Sequence, residues 1–346
     1  MRTLDFAGRD AGCGISFDVN SLYPSRMRYE LLPYGEPKYF KGEPKLGLMY
    51  DLYIAKILID ATVKPDHLPC MQFKENFAKF APTEYVSDTQ GVVARCVTSA
   101  ELELIQEQYD IHYLEFVDGY MFKGSRTLFA DFVDETIEGK SQATIDGNKG
   151  MRQLFKLRAN SSYGKFGTST RVCSMKPTLL EDGRIRYVRL AEEEREPVYV
   201  PVAAFITAYA RSYTIRAAQA NYPRFMYADT DSIYLQGYEP PVGIEVDDVK
   251  LGAWKQEHKF QHFKALRAKT YVFEEDGELI IHCAGLPDRC HDWDPEEGEE
   301  LPSADDIYTE VTFDNFEIGS EYWGKLYNHH TAGGSYFTTG AFKIRS

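Results

Sequence analysis

The stretch GISFDVNSLYPSRM predicts a strand that gives out by Pro24, where the chain turns into a helix or loop. From about residue 35 to 124, short strand-like runs are interrupted by one well-marked helix, in which Thr98 and Glu101 have the spacing of a capping box ahead of LELIQEQY. SRTLFADFVDETIEG predicts a second helix, capped by Ser125, with an apolar stripe of Phe129, Phe132, Val133, Thr136 and Ile137, and ended by Gly139. A polar break, KSQATIDGN, separates it from a third helix, KGMRQLFKLRANSSYGKF. KPTLLEDGRIRYVRL then reads as a hairpin turning at Asp182-Gly183. Pro201 opens a long helix through VAAFITAYARSYTIRAAQA, which stops at Asn221 and Pro223. A strand, a tight turn and a strand follow around YADTDSIYL. Next come a hairpin turning at Asp276-Gly277 and, past an acidic stretch, a small αβ lobe. No internal repeat or low-complexity linker interrupts this order.

Two of these elements carry polar residues that packing does not ask for. In YADTDSIYL, Asp229 and Asp231 are separated only by Thr230. Side chains two apart on a strand share a face, so two negative charges would stand side by side. Like charges at that range repel, and either one takes up a proton or the strand loses stability; a divalent metal ion removes the conflict. In the third helix, Arg152, Lys156, Asn160 and Tyr163 fall within roughly 80° of arc, with Met151, Leu154, Leu157 and Ser161 on the other side. A front of two cations, an amide and a ring suits an anionic, planar ligand. The plainer alternative is the solvated face of an amphipathic helix.

Composition narrows the class only partly. At 346 residues, 43% of them hydrophobic and 27% charged, the chain can bury two or more subdomains of an ordinary soluble globular protein. Aromatic content of 14%, led by Tyr, offers stacking surface as well as core. A net charge of −14 by itself speaks against a nucleic-acid partner, since phosphate contacts need Lys and Arg. Much of the excess is local, however: from Asp288 to Glu310 the chain carries ten carboxylates and one arginine, the composition of a solvated loop or insertion. Six cysteines (Cys13, Cys70, Cys96, Cys173, Cys283, Cys290) lack C-x-x-C spacing and fit a reducing compartment. The pairs HC at Cys283 and CH at Cys290 match no common zinc spacing. No signal peptide opens the chain and no apolar run nears the ~20 residues of a membrane span, so an intracellular protein is expected.

Three segments acquire meaning together. They are DVNSLYPS with Asp18 and Tyr23, KLRANSSYG with Lys156 and Tyr163 in the pattern K-x-x-x-N-S-x-Y-G, and YADTDS with Asp229 and Asp231. In this order they resemble the signature motifs of the family B DNA polymerases, and AKTY, with Lys269 and Tyr271, resembles that family's K-x-Y motif. LLPYGEP, PVYVPVAAFITAYAR, CAG and VTFDNFEIG resemble its protein-primed phage branch, in which a terminal protein supplies the first hydroxyl. The resemblance runs over nearly the whole chain. It implies an α+β, right-hand polymerase fold of palm, fingers and thumb, with an antiparallel palm sheet and two terminal-protein-region insertions. On that reading residues 1–34 open the palm, 35–123 are the first insertion, 124–168 the fingers and 169–197 the second insertion, a β-hairpin; 198–282 complete the palm and 283–346 form the thumb.

The implied activity is template-directed DNA synthesis from dNTPs on primer-template DNA, a nucleotidyl transfer to a primer 3′-hydroxyl or a terminal-protein hydroxyl. That transfer needs the nucleophile activated and the charge on phosphorus and pyrophosphate neutralised. Two Mg²⁺ ions, with Mn²⁺ able to substitute, do both when held by bridging carboxylates. Asp18 and Asp231 are expected as the bridges, Asp229 in support, and the Val19 carbonyl as a further metal ligand. Lys156, Arg152 and Lys140 are expected on the triphosphate, with Ser21 and Leu22 also at the nucleotide, Tyr163 against base or sugar, and Asn160 fixing its helix to the first motif. EGKS, around Lys140, imitates the end of a P-loop, but position 134 is Asp rather than Gly. Tyr23 resembles the family's steric gate against a 2′-hydroxyl, with core packing as the alternative. Ser161 and Gly164 are expected at DNA, as are Thr207 and Arg211, which resemble a T-x-x-A-R motif, and Lys269 and Tyr271. For the last four, ordinary surface or core roles remain the alternative. Only seventeen residues precede Asp18 and the branch's Y-x-G-G motif is missing, so a chain without 3′→5′ exonuclease is expected. It would be a monomer in the cytoplasm, the host's for a viral source, with a terminal protein and a separate exonuclease or processivity protein as partners and no membrane. The rival reading is a DNA- or terminal-protein-binding replication subunit that needs a partner chain for activity.

Overall fold

The computed structural model describes residues 8–73, 84–179, 185–286, 310–328 and 336–345. β1 (Gly14–Val19) leads through Ser21, whose backbone is left-handed at φ 55°, straight into α1 (Leu22–Tyr29). Pro24 therefore falls inside the first turn of a helix, where its missing N–H is not needed, rather than at the end of a strand. β2 (Leu32–Lys41) and β3 (Leu52–Val63) follow. The two-residue strands β4 (Gln72–Phe73) and β5 (Glu84–Tyr85) pair with each other. With β6 (Val93–Thr98) and β7 (Tyr109–Ser125), the longer two form an antiparallel sheet in the order β2-β7-β3-β6. α2 (Ser99–Gln108) packs on it through Leu102 and Ile105. Its capping box is present: Thr98 Oγ1 accepts from the Glu101 N–H at 3.1 Å, and the Glu101 carboxylate accepts from the Thr98 N–H at 3.1 Å.

α3 (Ala130–Ile145) and α4 (Lys149–Phe166) form a helical hairpin whose details depart from expectation. Ser125 ends β7 instead of capping α3, and α3 runs on past Gly139 to a turn at Asp146 and Gly147. Gly139 is a contact residue, because a Cβ there would lie 2.3 Å from the Phe155 ring of α4. That ring sets the rotation of α4. Phe155, Ala159, Ser162 and Phe166 turn inward, whereas Met151, Leu154 and Leu157, expected as the packed back of the helix, are exposed.

β8 (Arg171–Leu179) and β9 (Ile185–Glu194) pair with Leu179 opposite Ile185; the expected turn at Asp182-Gly183 lies outside the described residues. α5 (Val200–Ala220) has Pro201 in its first turn and ends at Asn221, whose side-chain amide donates to the Ala217 and Val242 carbonyls at 2.9 Å each. β10 (Phe225–Asp229), β11 (Ser232–Gln236) and β12 (Trp254–Phe260) complete the central antiparallel sheet, ordered β10-β11-β1-β12. One face of that sheet buries Ile15, Phe17, Val19, Ile233 and Leu235 together with Ala210 and Ala217 of α5. The alternate residues of β1, Ser16 and Asp18, are left to line an open cleft on the other face.

β13 (His262–Arg267), β14 (Thr270–Glu275) and β15 (Glu278–Cys283) form a second, three-stranded sheet. Its hairpin turns at Asp276-Gly277, both at positive φ (52° and 85°) as a type I′ turn requires. The acidic stretch up to residue 309 lies outside the described residues. Beyond it β16 (Glu321–Asn328) pairs with β17 (Tyr336–Lys343). The αβ lobe expected there shows no helix among the described residues; EYWGKLYN and YFTTGAFK are rich in aromatic and β-branched residues that favour strands. No described helix is long and apolar enough to cross a membrane.

Candidate active site

The first and third motifs meet at the head of the central sheet. Asp18 stands opposite Ser232 across the β1–β11 ladder, and the Val19 N–H donates to the Asp231 carbonyl at 2.8 Å. Asp229 is the last residue of β10. Thr230 then takes a left-handed conformation at φ 54°, and the Asp231 N–H folds back onto the Asp229 carbonyl at 2.6 Å. Asp231 is thus a turn residue, and the period-two argument that put both acids on one strand does not hold. Their charges are answered separately. Lys269 Nζ donates to both Asp229 oxygens, at 2.8 and 3.1 Å, while Asp231 remains beside Asp18. The like-charge conflict expected within YADTDS persists, since Asp229 still raises Asp231, and one between motifs joins it, since Asp231 raises Asp18. Burial, with Asp231 and Glu257 adding to it, pushes the Asp18 carboxyl up to about 7 against the pull of Lys255 and Lys156. Burial also raises Asp231, and the charge of Asp229 adds to it.

α4 supplies the opposing charge. Lys156 lines the same cleft of about 460 Å³ as Asp18, Asp229 and Asp231. Lys140, on α3, is held below the usual lysine range by burial and by the nearby Arg152 and Lys156, so three cations from two helices crowd together. Their mutual repulsion is the counterpart of the repulsion between the acids, and a polyanion would relieve it. Tyr163 stacks on Tyr23 of α1 with ring centroids 4.0 Å apart and planes 14° from parallel. Burial and the Tyr163 ring push the Tyr23 hydroxyl up to about 12. Tyr23 is half-buried and also packs against two of the core clusters, so the core-packing alternative accounts for part of its setting.

Other expected residues fall differently. Leu22 is buried in the core rather than presented to a ligand. Asn160 is exposed and does not tie α4 to the first motif; that contact runs through the Tyr163–Tyr23 stack and the Ser162 hydroxyl, 3.7 Å from Met27 sulfur. Ser161 and Gly164 are exposed, and nothing lies within 4 Å of a Cβ placed on Gly164. Thr207 Oγ1 donates back to the Ala203 and Ala204 carbonyls of its own helix. Arg211 is ion-paired with Glu101, the capping-box acid. Tyr271 is 5% exposed, and its hydroxyl shares a hydrogen bond of 3.1 Å with that of Tyr234. Sequence reasoning missed Lys255 and Glu257 of β12, 2.9 Å from each other and electrostatically coupled to Asp18. Their i, i+2 spacing between the buried Trp254 and Phe260 was the available signal.

Among the described residues, no three His, Cys, Asp or Glu side chains form a ready-made cation cage. What converges is two carboxylates, Asp18 and Asp231, both held above the usual carboxylate range despite nearby lysines. That oxygen donor set fits Mg²⁺, which binds through one or two carboxylates and keeps waters and substrate oxygens for its remaining positions.

Acids at the head of an antiparallel sheet, sharing a cleft with a lysine of a cationic helix, form a site suited to a polyanion and divalent cations. The model of the family described as DNA polymerase type B, organellar and viral, matches residues 10–248. The chain belongs to this family. The DNA polymerase of Bacillus phage Nf is 38% identical over 359 aligned residues, covering 97% of this chain and 59% of its own length. That of Streptococcus phage Cp-1 is 33% identical, covering 100% and 59%. The solved structure of phi29 DNA polymerase complexed with primer-template DNA and incoming nucleotide matches with a TM-score of 0.82 at 34% identity, over 99% of this chain and 59% of that one. The chain thus spans 59% of the length of these relatives, and its fold is the α+β right-hand polymerase fold.

Proposed function

We propose that this chain is the catalytic region of a protein-primed, phage-type DNA polymerase that adds dNMPs to a primer 3′-hydroxyl or a terminal-protein hydroxyl. The convergence of Asp18 and Asp231 through the Val19–Asp231 hydrogen bond, facing Lys156, carries the reading. Asp18, Asp231 and the Val19 carbonyl would hold two Mg²⁺ ions, which when bound activate the attacking oxygen and neutralise charge on the phosphates. Lys156, Lys140 and Arg152 bind the triphosphate, and the α3–α4 hairpin acts as the fingers. Tyr163 stacks on base or sugar, and Tyr23 excludes a 2′-hydroxyl. Lys269 and Tyr271 hold the primer end. Arg211 reaches a DNA phosphate by exchanging it for the Glu101 carboxylate. The sheet around β3 and β7 and the β8–β9 hairpin serve as the two terminal-protein-region insertions. The enzyme acts in the host cytoplasm, as its likeness to phage polymerases suggests. Primer extension on a short template with Mg²⁺ or Mn²⁺ tests the reading. Extension dependent on both metal and template is expected; DNA binding without extension would point instead to a replication subunit needing a partner.

A further inference from the structure

The cleft continues past the acids. Two residues before Asp18 on the same face of β1 stands Ser16, whose cross-strand neighbours are Tyr234 on β11 and His258 on β12. Ser16 lines the cleft, is 1% exposed, and its Oγ has no hydrogen-bond partner among the described residues. A buried hydroxyl left unpaired is costly, so a partner is to be sought in whatever enters the cleft. His258 and His282 line the same space. The ladder also shifts between Ser16 and Phe17 opposite β12, a bulge that puts Glu257 and His258 together at the cleft wall. His258 gives its Nδ1–H to Glu275 at 2.7 Å, which leaves Nε2 uncommitted. His282 lies opposite Tyr271 in the β14–β15 ladder and lays its ring on it, centroids 4.6 Å apart and planes at 18°. These groups belong neither to the acids nor to the cationic helices. They stand with Lys269 and Tyr271, the residues assigned above to the primer end.

We propose that Ser16 and His282 form a second contact for the primer strand, hydrogen-bonding the sugar–phosphate just behind its 3′ end, with His258, held by Glu275, as part of the wall beside them. The inference rests on the polymerase reading and extends it. Burial and the neighbouring His258 hold His282 below the usual histidine range, with Asp229 opposing, so His282 works by hydrogen bonding and not by charge. Lys269 supplies the charge.

The test is equilibrium binding of a dideoxy-terminated primer-template in chelator, alongside nucleotide KM from extension assays. His282→Ala is expected to weaken DNA binding about tenfold, as loss of a hydrogen bond to a charged acceptor entails, with dNTP KM unchanged. His282→Gln, which keeps a donor, restores most of the loss. Ser16→Ala weakens binding while melting no lower than the parent, since it removes an unpaired hydroxyl; misfolding therefore cannot account for the effect. Lys269→Ala lowers the slope of log Kd against log salt by about one, whereas His282→Ala leaves it unchanged. A parent chain that binds and extends primer-template while His282→Ala and Ser16→Ala bind as tightly overturns this site alone. A parent chain that neither binds nor extends overturns the polymerase reading, and this site with it.

Discussion

Asp229 and Asp231 stand two apart in the chain yet answer to different partners, because Thr230 turns the backbone between them. A tight turn was legible in YADTDS, as was the need for two acids, but a β-branched residue at positive φ is uncommon, so Thr230 as the left-handed residue of that turn was not. What the motif does disclose is chemistry; what it withholds is which acid is already neutralised. Asp231→Ala is expected to cut primer extension by at least about 10²-fold with primer-template binding retained, and Asp229→Ala to act mainly through the released Lys269, raising the Kd for primer more than it lowers kcat. Both follow from the pairing of Lys269 with Asp229 and of Asp231 with Asp18. Single-turnover extension and DNA-binding measurements on the two variants check the division; equal loss of binding in both would contradict it. At Tyr23 the stack on Tyr163 fixes the ring in place, so Tyr23→Ala should admit ribonucleotides. The ratio of kcat/KM for dNTP over rNTP should fall, and an unchanged ratio would show that the ring does not face the sugar.

At the scale of elements, α4 was correctly placed in the chain but wrongly rotated. A helical wheel ranks Met151, Leu154 and Leu157 as a buried face, yet Phe155, seated against Gly139, decides the packing because its ring fills the space between two helices that touch there. From sequence alone a glycine in this position reads equally well as a helix end, and only the contact distinguishes the two. The capping box of α2, by contrast, was fully legible, since its two hydrogen bonds are set by residues three apart and need no tertiary partner. Gly139→Val should force Phe155 out of its seat and cost about 1–3 kcal/mol. Because Lys140 adjoins Gly139 and Lys156 adjoins Phe155, the same change should raise the dNTP KM. Adding Phe155→Ala should recover part of the stability, and thermal melts of the single and double variants measure that coupling. Strictly additive losses would mean that the two residues do not meet.

For the molecule as a whole, a net charge of −14 does not decide between partners, because binding depends on where the charges stand. Long-range order explains why: Asp18, Asp231, Lys156 and Lys269 come from four separate segments, and only the fold brings these acids and cations to line one cleft. That concentration has a thermodynamic cost in the metal-free protein. The folded Asp18 carboxyl sits at about 7, above its ordinary 3.8, so its contribution to stability is whole below about 3.8 and is lost as pH rises through 7. At pH 8 the folded chain holds an ionised pair that would rather share a proton. Asp18→Asn removes the burden, and in chelator it should raise stability at pH 8 by about 1–2 kcal/mol, allowing for solvent screening at a partly open site, while changing little at pH 4. Acids whose ionisation is favoured in the fold, such as Asp10 and Glu275, give the opposite trend, but they are common to both proteins and cancel in the comparison. Adding Mg²⁺ or Mn²⁺ at pH 8 should then raise the melting temperature of the parent and not of Asp18→Asn, with the gain fading toward pH 5 as protons compete for the same oxygens. Melting curves of the two proteins that run parallel across pH, with and without metal, would show that the two acids do not share a cation.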